Sequence, residues 1–166
     1  MVFRGYQIRN LAEGLPLRNN PRFAVALAWI GTSLLFGLAH RLNPNATFLG
    51  GFNVFLAGLL LGLGYILTGQ LGLSIGLHIA TNFFQGFVFG YATSGATMAA
   101  RLISTRVNGP EIWTGGAFGP EAGLVVTGLA LLNALLILIW VKYTGRWKGI
   151  RPELAEYRGR NENIER

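Results

Sequence analysis

Long apolar runs dominate the chain and predict helices that cross a membrane. Four such runs lie at residues 23–40, 47–69, 71–92 and 123–141. A bilayer span needs about 20 predominantly apolar residues, and each run is close to that length. The runs lack the period-2 alternation of strands, and a membrane β-barrel would need many more segments. We therefore predict an all-α, polytopic membrane helix bundle with about four transmembrane helices.

Polar and glycine-rich segments separate the runs and mark their connections. Pro44 lies in a predicted turn after the first run, and residues 93–122 form a long loop before the fourth. Spans two and three carry glycines four residues apart, at Gly58–Gly62, Gly72–Gly76 and Gly86–Gly90. Paired small residues let helix backbones approach each other closely in membranes. We expect these pairs to serve ordinary bundle packing.

A polar stripe runs along the third apolar segment. His78 and Asn82 are four residues apart and therefore share one face of a helix, and Ser74 and Gln85 lie on the same predicted stripe. An ionisable side chain inside a membrane is costly, so it is a functional candidate by default. The competing interpretation is a helix–helix hydrogen bond that fixes packing. That packing interpretation is the one we adopt for the isolated Asn53 and Asn133.

The first apolar segment carries a second pair, Phe36 and His40, also four residues apart. A histidine can move protons near neutral pH, and a His–Asn pair can donate hydrogen bonds to a developing oxyanion. His40 and His78 could also hold a metal, although zinc takes three or four ligands. A hydrolase would need in addition a carboxylate to activate water. The apolar runs contain no glutamate, and the chain contains no aspartate.

Composition narrows the class of protein. Half of the residues, 51%, are hydrophobic and only 13% are charged, whereas soluble domains average about 25% charged residues. Cysteine is absent, which excludes disulfides, cysteine-ligated zinc and thiol catalysis. The polar, basic start of the chain predicts no cleavable signal peptide. The net charge is +7, and the basic residues that produce it flank apolar runs instead of covering a solvated domain. We therefore predict that the partner is a lipid bilayer and not a nucleic acid.

The distribution of positive charge predicts the orientation of the chain. Four arginines precede the first run and seven basic residues follow the fourth, which together make eleven of the fourteen. The positive-inside rule then places both termini in the cytoplasm, and four spans return the chain to its starting side. We assign residues 1–145 to a membrane domain and residues 146–166 to a solvated, basic cytoplasmic tail.

Two sequence motifs resemble those of a known family. The segment "LLFGLAHRLN" contains FxxxH, with Phe36 and His40, and "IGLHIATNFF" contains HxxxN, with His78 and Asn82. Together with their spacing, these motifs resemble the CPBP family of intramembrane proteases, which includes CAAX prenyl endopeptidases and bacterial immunity and processing proteins. The resemblance extends over about residues 1–145, and it implies the C-terminal part of a CAAX-protease-type fold.

The family's first motif is a pair of glutamates followed, after three residues, by an arginine. The segment "VFRGY" resembles the end of this motif, with Arg4 as the arginine. The two glutamates would then precede Met1. We therefore expect the membrane domain to be incomplete at its N-terminus, and we expect residues 1–166 alone to be inactive.

The resemblance implies an intramembrane endopeptidase that hydrolyses peptide bonds of membrane-associated peptides or proteins. His40 would help glutamate activate water, and His78 and Asn82 would stabilise the oxyanion, or the histidines would bind zinc. Arg4 and Phe36 would support these groups. The alternatives are a non-catalytic membrane scaffold or bacteriocin-immunity protein with the same fold, and a membrane protein that binds a cofactor or metal through two histidines. We expect the plasma membrane of a bacterium or archaeon.

Overall fold

The structure, a computed structural model, describes residues 2–156 and consists of helices joined by turns and one long loop. A π-helix over Val2–Tyr6 leads directly into the first α-helix. The α-helices are α1 (Gln7–Gly14), α2 (Pro21–Ala39), α3 (Phe48–Thr68), α4 (Gly72–Asn82), α5 (Glu111–Thr114) and α6 (Leu124–Tyr143). Short 3-10 segments cover His40–Leu42, Gly116–Phe118, Pro120–Ala122 and Pro152–Ala155, and a second π-helix covers Phe83–Val88. The predicted all-α class is confirmed.

Three of these elements are long and apolar enough to cross a membrane: Pro21–Leu42, Phe48–Thr68 and Leu124–Tyr143. Local sequence sets two of their starts. The Asn20 side chain accepts a hydrogen bond from the Phe23 amide, and the Thr47 side chain accepts one from the Gly50 amide, 2.9 Å away. Such caps satisfy amides at a helix start that have no partner inside the helix.

The third predicted span differs from the other three. The segment at 71–92 forms α4 and the π-helix Phe83–Val88, which together cover 17 residues. At about 1.5 Å per residue this segment is about 25 Å long, which is less than the roughly 30 Å of a bilayer core. Within residues 2–156, three helices therefore meet the length and hydropathy of a span, where the sequence predicted about four.

The short segment nevertheless carries the chain from one end of the bundle to the other. Near its start, Gln70 accepts a hydrogen bond from Arg146, just beyond the end of α6. Beyond its end, the Ser94 carbonyl accepts one from Asn43, which follows α2. We call the end with Gln70 the basic end and the opposite end, with Asn43, the loop end. The chain thus makes four passes, of which the α4 pass is the shortest.

The N-terminal segment runs back into the bundle instead of lying outside it. Helix α1 packs along α2, and its buried Ile8 and Ala12 join the core formed with Ala24 and Val25. The π-helix before α1 lies along α2 and reaches Phe36, where the Arg4 guanidinium packs on the Phe36 ring. Arg4 was predicted as a charge flanking the first span. That prediction is wrong, because Arg4 is 6% exposed and lies within the bundle.

The glycine pairs differ in their contacts. A Cβ at Gly58 would lie 3.0 Å from the Ser33 side chain, and one at Gly62 would overlap the Trp29 indole, so this pair allows α3 to approach α2 closely. Gly72 and Gly76 have no atoms near an added Cβ, within the part of the chain that the structure describes. The packing interpretation therefore holds for the pair on α3 and not for the pair on α4.

Residues after α6 fold back under the basic end of the bundle. The Arg151 amide donates to the Ile66 carbonyl at 2.9 Å, and its side chain donates to the Leu67 carbonyl at 3.2 Å. These are carbonyls of the last turn of α3, which have no partner inside the helix. Leu154 is 7% exposed and joins the core. Within the predicted tail, Arg146–Lys148 are exposed, whereas Arg151 and Leu154 pack against the bundle, and residues 157–166 lie outside the described residues.

Candidate functional site

A cavity of about 280 Å³ opens between α3, α4 and the N-terminal π-helix. Its polar lining consists of Arg4, Ser74, His78 and Asn82, and its apolar lining consists of Phe3, Phe36, Leu61, Leu71, Ile75 and Ile79. The Ser74 hydroxyl donates to the Leu61 carbonyl and so fixes α4 against α3. His78 is exposed toward the open side, and Asn82 is half-buried. The cavity therefore combines a cation, an imidazole and an amide with an apolar wall.

The ring of Phe36 connects the groups around the cavity. Its centroid lies 4.5 Å from the His40 ring and 6.3 Å from the His78 ring. The two imidazoles contact the same ring, so their centroids are separated by no more than the sum of these distances, about 11 Å. The Arg4 guanidinium lies over the same ring, 4.7 Å from its centroid. Phe36 is thus the side chain through which α2 meets α4.

The tautomer of His40 follows from its hydrogen bond. Its Nδ1 lies 2.7 Å from the Phe36 carbonyl oxygen, which can only accept, so Nδ1 must carry the proton in the neutral ring. The lone pair is then on Nε2, where it can accept a proton. The bond also fixes the ring orientation at the end of α2.

Arg4 carries a positive charge into this site with incomplete hydrogen bonding. Its Nε and Nη1 are buried and have no hydrogen-bond partner within residues 2–156. Burying an ion costs several kcal/mol, of which a desolvated cation–π contact such as that with Phe36 returns about 2 kcal/mol. The remaining donors therefore favour an anion as an additional partner. A carboxylate matches the planar geometry of a guanidinium.

The structure brings some of the predicted site residues together and separates others. Arg4, Phe36, His78 and Asn82 line the cavity, and His40 contacts the Phe36 ring without lining the cavity. Gln85 was predicted on the same stripe but points elsewhere. The π-helix at Phe83–Val88 bonds each residue to the fifth one along the chain, so the face that continues α4 rotates there.

A second polar cluster lies at the loop end, around Asn53. The Asn53 amide donates to the carbonyls of Glu121 and Gly123 at 2.7 and 3.0 Å, and its oxygen accepts from the Thr127 hydroxyl at 2.8 Å. Asn53 is 2% exposed. The prediction that this residue serves packing agrees with these contacts, because it ties α3 to the start of α6.

The Glu121 carboxylate belongs to the same cluster, although the sequence placed it in a remote loop. It accepts hydrogen bonds from the Gln85 amide at 2.7 Å and from the Ser94 backbone amide at 3.0 Å. Burial raises the pKa of this carboxyl above its ordinary value, and these hydrogen bonds oppose the rise. The sequence signal that could have revealed it is a lone acidic residue directly before an apolar run.

The two histidines do not form a complete zinc site from the described residues. Structural and catalytic zinc sites use at least three protein ligands. Within residues 2–156, no three His, Cys, Asp or Glu side chains lie close enough together to hold a metal ion. His40 and His78 would therefore need further ligands.

The chain is a helical membrane protein with a polar cavity built on FxxxH and HxxxN. The model of one protein family, described as type II CAAX prenyl endopeptidase Rce1-like, matches residues 1–84. This match covers half of the chain and includes every residue of the two motifs and Arg4, so the chain belongs to this CAAX-type intramembrane protease family. Comparison with curated proteins and with solved structures gives no match.

Proposed function

We propose that the cavity is part of an endopeptidase site that hydrolyses peptide bonds in membrane-associated peptides or proteins. The observation that carries this proposal is the arrangement of His40, His78 and Arg4 around the Phe36 ring beside an open cavity. Membership of the CAAX-type intramembrane protease family supports the same reaction class.

In the proposed mechanism, His78 and Asn82 donate hydrogen bonds to the oxygen of the tetrahedral intermediate. Their four-residue spacing on α4 directs both toward one side of the cavity. Donors aimed at such an oxyanion are typically worth about 10²–10³ in rate each. His40, with its lone pair on Nε2, acts beside a carboxylate that activates water.

Arg4 orients that carboxylate in the proposed mechanism. Its unpaired Nε and Nη1 suit a glutamate, the residue type that the family's first motif supplies. General acid–base help of this kind contributes about 10²–10⁴ in rate. We therefore expect residues 1–166 alone to lack measurable proteolysis. We expect cleavage from a glutamate-extended chain, in which the family's two-glutamate motif is fused ahead of residues 1–166.

We further propose that both termini face the cytoplasm of a bacterium or archaeon. Helix α1 packs against Pro152–Ala155, so α1 and the described C-terminal end of the chain lie at the basic end of the bundle, and Val2–Tyr6 run from there into the bundle. Arg9, Arg18 and Lys142 flank the spans at this end, which supports a cytoplasmic position. Reporter fusions after residue 166 and within the 93–122 loop would test the orientation, and an external tail would contradict it.

The alternative function is a non-catalytic scaffold or immunity protein. It is favoured by the polar lining of the cavity, in which a cation, a hydroxyl, an imidazole and an amide could bind a peptide without hydrolysing it. Under this alternative, the glutamate-extended chain would bind membrane peptides and leave them intact.

The experiment that separates these functions uses proteoliposomes containing the glutamate-extended chain and a library of membrane-anchored peptides, with products identified by mass spectrometry. We expect cleavage that is lost in His40→Ala and His78→Ala and retained in Asn133→Ala. Asn133 is a matched control because it lies on exposed α6 and bonds only within its own helix, to the Leu129 carbonyl. Cleavage that is unaffected by His40→Ala would refute the assigned roles.

A further inference from the structure

An apolar groove of about 270 Å³ lies between α2 and α3 near the loop end of the bundle. Leu34 and Leu38 form one wall, and Phe48 and Phe52 form the other. These four side chains are between 44% and 78% exposed. Because α2 and α3 are long and apolar enough to span a bilayer, hydrocarbon chains would cover this surface in the membrane.

The groove forms because glycines bring the two helices together beneath it. A Cβ at Gly37 would lie 2.9 Å from the Gly51 carbonyl oxygen, so the backbones nearly touch. The larger leucine and phenylalanine side chains project on either side of this contact and leave a channel between them. The shape therefore depends on rigid spans and not on a mobile loop.

A cation lies at one end of the groove. Arg41 follows α2 directly, in the 3-10 segment His40–Leu42, and it is exposed. Its aliphatic stem covers Gly51, where an added Cβ would lie 3.3 Å from the Arg41 Cγ. This position at the end of a span corresponds to the depth of lipid headgroups, and the highly exposed Phe48 lies at the same end of α3.

We propose that this groove binds one anionic phospholipid, with an acyl chain between α2 and α3 and the phosphate paired with Arg41. An arginine and a phosphate form charge-assisted hydrogen bonds, often two in parallel. Basic pockets between membrane helices bind anionic headgroups for this reason. The lipid would belong to the leaflet at the loop end, opposite the cluster of basic residues that follows α6.

A second groove in the same bundle provides an internal comparison. It lies between α3 and α6, encloses about 200 Å³ and is lined by side chains such as Leu56, Leu63 and Leu131, with no charged residue in its lining. This groove would accept hydrocarbon chains without selecting a headgroup. The difference between the grooves isolates the contribution of Arg41.

Native mass spectrometry of the full chain would test the proposal, with phosphatidylglycerol and phosphatidylcholine of identical acyl chains as probes. We expect one phosphatidylglycerol to be retained with a preference of about fivefold or more over phosphatidylcholine, which is the size expected for one arginine near an anionic surface. Arg41→Gln should abolish this preference, and Arg41→Lys should retain part of it. Leu38→Trp should displace both lipids by filling the groove.

Two control substitutions keep the test specific. Arg106→Gln removes an exposed charge from the long loop, and Leu131→Trp fills the uncharged groove, so neither should change the preference. Equal retention of the two lipids by the unmodified chain would overturn the proposal, as would an undiminished preference in Arg41→Gln. A dimeric mass that Leu38→Trp dissociates would show that a second copy occupies the groove, and that result would also overturn it.

Discussion

The network around Asn53 and the cavity around Arg4 both place polar side chains inside an apolar bundle, but their hydrogen bonding differs. Asn53 makes three hydrogen bonds to α6 and to the segment before it, at 2.7–3.0 Å. Arg4 is also buried, yet its Nε and Nη1 have no partner among residues 2–156. The first region is complete without any additional molecule, and the second has donors left to make bonds.

In the same protein, hydrogen-bonded polar side chains thus hold the helices together, and buried donors without a partner mark a functional site. Hydrogen bonds between membrane helices average about 0.6 kcal/mol, so a satisfied network holds helices together at modest gain. An unpaired buried donor costs about 1–3 kcal/mol and is retained where a ligand or a reacting group completes it. Substitutions in the network should therefore affect stability, and substitutions at the cavity should affect activity.

The largest expected effect comes from removing the cavity imidazole. In the glutamate-extended chain, His78→Ala should lower kcat/KM by at least about 100-fold, because a donor to the oxyanion is lost. The thermal midpoint should change little, since His78 is exposed. Peptide cleavage in proteoliposomes and a melting curve of the same preparation would measure both. If His78→Ala lowered the thermal midpoint as strongly as it lowered kcat/KM, the cavity would serve stability in the same way as the network around Asn53, and the comparison would fail.

The next effect should arise at the network. Asn53→Ala removes three hydrogen bonds and leaves two carbonyls and the Thr127 hydroxyl without this partner. At about 0.6 kcal/mol per bond, the free energy of unfolding should fall by about 2 kcal/mol. Unfolding in mixed micelles would measure the change. Asn133→Ala is the control and should stay within about 0.5 kcal/mol, because Asn133 is half-buried and donates its hydrogen bond to the Leu129 carbonyl of its own helix.

A smaller and opposite effect is expected for Arg4→Met in the 166-residue chain. Methionine retains much of the side-chain volume and needs no hydrogen bonds, so the free energy of unfolding should stay unchanged or rise by up to about 2 kcal/mol. In the glutamate-extended chain, the same substitution should lower activity. A large loss of stability in the 166-residue chain would show that Arg4 is already well paired there.

The smallest expected effect concerns pH and the Glu121 carboxyl. Burial raises the pKa of Glu121 above its ordinary value of 4.5, so the folded chain holds this proton at a higher pH than the unfolded chain does. Its contribution to stability is therefore greatest below pH 4.5 and declines as the pH rises through the folded-state pKa. Glu121→Gln should remove that decline.

Much of the bundle could be predicted from hydropathy and spacing. The three long spans follow directly from apolar runs, and the i, i+4 spacing correctly put His78 and Asn82 on one cavity. The prediction failed at Gln85, because Gln85 lies in the π-helix that follows Asn82 and changes the direction of the face, whereas periodicity assumes one uniform helix. The position of Glu121 depends on a long loop whose path no local pattern specifies.

The distribution of charge along the chain indicated which end of the bundle is basic, but it misplaced Arg4. The basic cluster after α6 marks one end of the bundle, as predicted from the sequence. Arg4 was counted among the arginines that precede the first span, but α1 packs along α2 and the π-helix before it carries Arg4 inward. A positive charge close to a span in sequence can thus lie at a different depth when a short helix intervenes. Proximity along the chain is a reliable guide to depth only where no such reversal occurs.

The position of Leu154 has a consequence for the order in which the protein is made. This side chain completes the core that Ile8, Ala24 and Val25 begin, although it is synthesised about 130 or more residues after them. A ribosome adds about 5–20 residues per second, so the earlier helices wait several seconds or longer in the membrane with that part of the core unfilled. Until then, the core around Ile8 lacks the Leu154 side chain and is open to lipid or to chaperones, and translation that stalls before Leu154 leaves this part of the core unfilled.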